Sequence, residues 1–338
     1  MESSFSALSR RCPAACSCRR SGPCRLSSRA VAVPDTIPRC PQTGGEQPHC
    51  ARRAILAWLG LAGLAAVLPV HAASPIRKGA GRYPKLDIVA EDFRFELPSR
   101  IAAGHTEITL KNRGSAAHHA MLMRLNPGKT LAEFMDIARN GDVGALFSVS
   151  SSVGGPGSID HDQESTVIVD LAAGQHVVIC IIPGASGLPH YKMDMLSPLM
   201  VTPAASGRPQ PSAAVAIDMI DFSFAGMPQT MPAGRQLWKV IDTGRQLHEL
   251  ALNRIARGVT FAQVAEILRN TPPDSLGTLA GSAPFTAMAG VAPMGPGGTN
   301  WAVLDLEPAD YFAICFVPDP KTGKPHFDLG MIRPFSVR

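Results

Sequence analysis

The chain has 338 residues, room for about two average domains. With 45% of its residues hydrophobic and 17% charged, it supports a buried core and is excluded from the disordered class. Its net charge of +5 is confined to the beginning. Nine Arg face Glu2, Asp35 and Glu46 over residues 1–72, whereas 23 basic and 24 acidic residues leave 73–338 at −1. That balance excludes a nucleic-acid surface built on bulk charge.

Residues 1–51 carry Cys12, Cys16, Cys18, Cys24, Cys40 and Cys50 among Arg and Pro, without apolar periodicity. The spacing fits no zinc template, so this segment is expected to be a non-structural upstream extension. Residues 52–72 follow the pattern of a secretory signal peptide: Arg52-Arg53, an uncharged apolar run from Ala54 to Val70, then His71-Ala72-Ala73. Cleavage would leave a mature chain beginning near Ala73, periplasmic or secreted. Without cleavage the same run would serve as an N-terminal membrane anchor. A flexible tether, 73–85, leads into the body, where Cys180 and Cys315 are the remaining cysteines.

The body repeats itself. Asp92-Phe-Arg-Phe95 returns as Asp221-Phe-Ser-Phe224, Ala103-Gly104 as Ala233-Gly234, and His118 as His248. Asp170-Leu171 returns as Asp305-Leu306, Cys180 as Cys315, His190 as His326, and Met195 as Met331. The offset drifts only from 129 to 136, so a unit of domain size has been duplicated. The two copies cover 86–203 and 214–338, with a Pro-rich linker at 204–213.

Within each copy the hydrophobic period is mostly two. In chain order, Ile108–Leu110, His119–Met123, Thr166–Val169 and His176–Cys180 read as short strands, as do Gln236–Val240, Leu250–Leu252, Trp301–Leu304 and Tyr311–Cys315. One helix interrupts each set, at Leu131–Arg139 and Phe261–Arg269, and is expected to pack across one end. Many short strands between turn signals predict an all-β pair of sandwiches.

Each copy also pairs an early His with a late Cys, His and Met: His118, Cys180, His190 and Met195, then His248, Cys315, His326 and Met331. Two imidazoles, a thiolate and a weak thioether make the ligand set of a mononuclear copper site. Met193 competes with Met195 in the first copy. Asp160-His-Asp162 with Glu164 is expected to be a solvated turn, and Cys180 and Cys315 are expected to stay unbridged.

The run Leu171-Ala-Ala-Gly-Gln-His-Val-Val-Ile-Cys180 and the His-x4-Met spacing of His190/Met195 and His326/Met331 resemble cupredoxin domains of the plastocyanin and azurin type. The resemblance spans nearly all of 86–338. It implies two Greek-key β-sandwiches in tandem, up to one copper ion in each, and one-electron exchange with a redox partner protein. One departure stands out. Type 1 copper sites usually leave only a few residues between Cys and the following His, whereas here there are nine (181–189) and ten (316–325). Such an insert either loops out and returns the His, or marks a domain that has lost its metal. The sequence lacks a Gly-x-Ser-x-Gly elbow and a His-x-His pair, so an enzyme is not expected. Two functions stay open: an exported copper carrier, or a metal-free tandem binding module.

Overall fold

The computed structural model describes residues 83–204 and 209–338. The expectations for 1–51, for 52–72 and for most of 73–85 lie outside them.

The first copy contributes strands β1 (Lys85–Glu91), β2 (Arg94–Glu96), β3 (Arg100–Ala102), β4 (Gly104–Asn112) and β5 (Met121–Leu125). After helices α1 (Leu131–Asn140) and α2 (Val143–Leu146) come β6 (Ser150–Ser152), β7 (Glu164–Leu171), β8 (Gly174–Ile179) and β9 (Leu196–Thr202). The second copy follows the same plan. Its strands are β10 (Val215–Ile220), β11 (Ser223–Ala225), β12 (Thr230–Met231), β13 (Gly234–Asp242) and β14 (His248–Ile255). Helix α3 (Phe261–Asn270) precedes β15 (Phe285–Met294), β16 (Thr299–Leu306), β17 (Ala309–Ile314) and β18 (Ile332–Val337).

Each copy folds as a two-layer sandwich. In the first, β2-β1-β4-β7 faces β3-β9-β8-β5-β6; in the second, β11-β10-β13-β16 faces β12-β18-β17-β14-β15. Alternation along β4 turns Thr106, Ile108, Leu110 and Asn112 inward, as a strand with one buried face requires. By contrast β5 is buried on both sides at Met121, Leu122 and Met123. The reason is α1. Its Phe134 and Ala138 pack on Met121, Met123, Val177 and Ile179, so the helix covers the outer face of the sheet rather than one end. Helix α3 does the same to β14 and β17 through Val264 and Leu268. Both helices start at a capping box, Thr130 with Glu133 and Thr260 with Gln263, and both end one residue beyond the predicted boundary. The first copy adds the four-residue α2, where the second carries a 3₁₀ segment, Pro273–Leu279.

The two sandwiches are fused. Antiparallel pairing of β7 with β16 joins their first sheets into one of eight strands. Val167 pairs with Ala302 in that register, and these are equivalent positions, because the repeat offset here is the one from Cys180 to Cys315. A second seam joins the 153–160 segment to β15, with bridges Val153–Met294 and Pro156–Val291. Pro156 and Val291 are again equivalent positions. Both seams therefore centre on residues that match themselves, which is the signature of a two-fold axis between the copies.

Gly155 (φ 133°) and Gly290 (φ 125°) are the matched bends beside this axis. A Cβ on either would stand 2.1 or 1.9 Å from the carbonyl oxygen of Ala120 or Leu250, so only glycine lets the backbones approach. Asn300 stitches the seam, accepting from Gly155 N–H at 2.9 Å and donating to Val153 O at 2.9 Å. The Asp160 expectation is corrected here. Its backbone N–H donates to Ala287 O and its Oδ2 accepts from Ala287 N–H at 2.9 Å, so it is a buried junction residue, while Asp162 and His161 keep the predicted exposure.

Candidate metal centres

At one end of each sandwich, three segments converge. The turn entering β5 brings His118, and the first residue of β14 is His248; the residue following β8 or β17 is Cys180 or Cys315. A 3₁₀ turn before β9 or β18 brings His190 or His326. All six side chains are buried, and each trio gathers within 4.8 Å.

The long inserts explain how. In the first copy Pro183 bridges Pro189, and His190 N–H donates to Ile182 O at 3.0 Å. In the second, Pro318 bridges Pro325 and His326 N–H donates to Val317 O at 2.8 Å. Each insert is a closed hairpin that returns its His to the Cys. Cys180 N–H then donates to Met195 O, and Cys315 N–H to Met331 O. Met195 and Met331 are thereby buried beside the clusters, whereas Met193 is half-buried.

In the second copy the ring nitrogens can be assigned from their partners. Asp221 accepts from His248 Nε2–H at 3.2 Å, so the proton sits on Nε2 and Nδ1 keeps its lone pair. Asp319 accepts from Gln246 Nε2–H at 3.1 Å, which leaves Gln246 Oε1 to accept from His326 Nε2–H at 3.1 Å. His326 Nδ1 is therefore also a bare lone pair. The two Nδ1 atoms nevertheless face each other at 3.1 Å, with Cys315 Sγ at 3.4 Å from His326 Nδ1. Neutral imidazoles so arranged repel, and a cation between them removes the conflict. The first copy has the same geometry: Nδ1 atoms 3.1 Å apart and Cys180 Sγ at 4.0 and 3.5 Å from them. His118 Nε2 stands 3.4 Å from Asp92 Oδ1, while His190 Nε2 is buried without a hydrogen-bond partner.

Electrostatics suit a metal rather than a proton. Burial, then the neighbouring imidazole, pushes His190 and His326 down to about 4, so both are neutral donors at neutral pH. Burial pushes the Cys180 thiol up to about 12 and also raises Cys315 well above its ordinary value, Glu249 adding to it. A thiolate here needs a positive charge beside it. Around the second site, Arg245 donates to Asp221 through its backbone N–H and guanidinium and holds that carboxyl low. Burial would raise Asp92, but hydrogen bonds from Ser115, Ala116 and His118 outweigh it and bring it to about 2. These carboxylates fix the histidines from behind, as outer partners of metal-bound imidazoles do. The donor set and its spacing fit a small soft-to-borderline cation such as copper.

Sequence reading noted Asp92 and Asp221 only as repeat markers. Their recurrence at nearly the same distance before each His was the available signal. It missed His119 and Glu249 as supports: His119 Nε2 accepts from Ile181 N–H at 3.0 Å, and Glu249 Oε1 from Phe316 N–H at 2.9 Å. Phe93 and Phe222 were also missed; each adopts positive φ (63° and 65°) and lays its ring edge-on to His190 or His326 at 5.1 and 5.2 Å.

No family model matches the sequence, and no curated protein matches it. Among solved structures, the reduced auracyanin of Roseiflexus castenholzii is 20% identical, covering 38% of this chain and 99% of its own, with a TM-score of 0.26. The "blue" copper protein auracyanin A of Chloroflexus aurantiacus is 22% identical over 35% of this chain and 98% of its own, at 0.26. A blue copper oxidase from Nitrosomonas europaea is 12% identical over 75% of this chain and 86% of its own, at 0.22. The strand order and the paired clusters describe the molecule without them: the chain carries two cupredoxin-like β-sandwiches in tandem, each with a buried His/Cys/His group at one end.

Proposed function

We propose that this protein is an exported carrier that holds one copper ion in each sandwich, through His118, Cys180, His190 and Met195 and through His248, Cys315, His326 and Met331. Bound copper would supply one-electron exchange, and the partner would be a redox protein. What carries the reading is the pair of facing Nδ1 lone pairs beside Cys315, each held in place by a hydrogen bond at the far side of its ring.

The protein's own residues supply three things. Burial excludes water and keeps the imidazoles neutral. The Asp221 and Gln246 contacts set which nitrogen faces inward. The backbone N–H of Glu249, which donates to Cys315 Sγ at 3.5 Å, stabilises negative charge on the sulfur, and such bonds tune potential. The role proposed is that of a carrier rather than a catalyst, with the rings of Phe93 and Phe222 lying against His190 and His326.

The test is a reversible redox titration of the copper-loaded chain, followed in the visible spectrum. An intense thiolate-to-copper band that bleaches on reduction and returns on oxidation is expected. Met331→Leu should keep the band and shift the potential of that site. A chain that takes up no copper would leave the metal-free binding module as the better reading.

A further inference from the structure

The two inserted Cys-to-His hairpins are braced differently. In the second copy the brace is internal. The Asp319 carboxylate accepts from Thr322 N–H at 3.0 Å, from Thr322 Oγ–H at 2.7 Å and from Gln246 Nε2–H at 3.1 Å. Gln246 in turn accepts from His326 Nε2–H at 3.1 Å. The equivalent positions in the first copy, one after Pro183 and two before His118, are Gly184 and Ala116. Neither has a side chain that can hydrogen-bond, and His190 Nε2 is buried with no partner.

The first hairpin is gripped instead by the other sandwich, whose 3₁₀ segment Pro273–Leu279 lies against it. A Cβ on Gly277 would stand 1.8 Å from Pro183 O and 3.5 Å from Ile182 Cγ2. One on Gly187, in the hairpin turn, would stand 3.7 Å from Asp274 Cβ. Gly277 is not at positive φ, so close approach rather than backbone angle calls for glycine there. The residues it touches are those that seat the ligand. Ile182 O accepts from His190 N–H at 3.0 Å, and Ile182 lies two residues after Cys180. On its other side the segment is anchored by Leu276 and Leu279, half-buried against the apolar cluster under α3.

We propose that Pro273–Leu279 is a strap that holds the first hairpin and so seats His190 against Cys180, with Gly277 as its positioning residue. The first metal site is thus completed across the junction between the copies, whereas the second is completed by its own Asp319 and Gln246. The proposal rests on the copper reading only where copper is the probe. A buried thiol reacts when its surroundings open locally, so the grip on the hairpin is also read in metal-free protein.

The experiment follows iodoacetamide alkylation of the metal-free chain by mass spectrometry of the peptides carrying Cys180 and Cys315. Copper affinity and the visible spectrum are then read for the first site alone in Cys315→Ser and for the second alone in Cys180→Ser. Gly277→Ala is expected to speed alkylation of Cys180 at least tenfold and leave Cys315 within about twofold. Copper at the first site should weaken about 10–100-fold, the range for groups that orient a metal-bound His, and its thiolate band should shift, with the second site unchanged. Adding Ala116→Gln and Gly184→Asp copies the internal brace and should restore the first site. There is room for it: a Cβ at 184 would stand 3.0 Å from the flexible end of Met193 and 3.5 Å from His190 Nε2. Where Gly277→Ala fails to fold, Leu276→Ala with Leu279→Ala loosens the strap from its own sandwich and should give the same changes. Gly281→Ala, at positive φ with open space around it, should give none of them. Unchanged Cys180 alkylation in the strap variants, equal effects at both sites, or a loss that the copied brace does not restore would each overturn the proposal. A chain that takes up no copper would sink the copper reading alone, because Cys180 alkylation still decides the strap.

Discussion

An imidazole offers a metal one lone pair, and what decides whether that pair faces inward is the partner of the opposite nitrogen. Asp221 performs this for His248 and Gln246 for His326. In the first copy Asp92 stands at the longer 3.4 Å from His118, and His190 has no such partner. The second site is therefore the better organised, and it should bind copper at least as tightly as the first. Asp221→Asn keeps the size but removes the charge that orients His248. A loss of about 10–100-fold in copper affinity at that site is expected, the range for outer partners of metal-bound His, with a higher reduction potential. Competition with a chromogenic chelator checks it; an unchanged affinity would deny Asp221 that role. At this scale the clustered His and Cys residues were legible because they repeat, and chemically loaded residues recurring together are hard to overlook. His119 and Glu249 were not, since they differ from each other and act through backbone N–H groups that sequence does not display.

Among the elements, strands and helices followed from periodicity, and both helices begin where that spacing put them, at Leu131 and Phe261. The placement of the helices did not follow. Met121 and Met123 are buried beneath α1, yet a short apolar run reads the same whether one face or two are covered. The hairpins that return His190 and His326 were one of two open outcomes, because Pro and Gly mark a turn without fixing where it closes. The matched glycines carry the seam between the copies. Gly155→Ala and Gly290→Ala place a methyl against a carbonyl oxygen at a backbone angle that L residues rarely adopt. Each should destabilise the chain by about 2–4 kcal/mol, read from urea unfolding. Gly258→Ala, also at positive φ but with open space around it, should cost less. Equal costs at all three positions would show that close approach is not what selects glycine at the seam.

For the whole molecule, duplication and fusion are one design: two sandwiches share an eight-stranded sheet and a second seam, related by a two-fold axis. The repeat was plain in the sequence, whereas the fusion was not, because pairing between two edge strands leaves no periodic trace. Asp160 sits in that seam, and burial raises its carboxyl above the ordinary range. A group raised in the folded state contributes its full stability below the unfolded value and loses it as pH rises through the folded one. Asp160→Asn, which can still accept from Ala287 N–H, should therefore stabilise the chain at about pH 8. That gain should shrink toward about pH 4, as denaturant curves at both would show; a gain independent of pH would contradict the assignment. The central claim is that two thiolate-centred sites hold copper, and the most direct measurement is the copper-to-protein ratio after loading and desalting. The account predicts two ions in the native chain, one in Cys180→Ser, one in Cys315→Ser and none in the double variant. A native chain that retains no copper, or a double variant that retains as much as the native one, would contradict it.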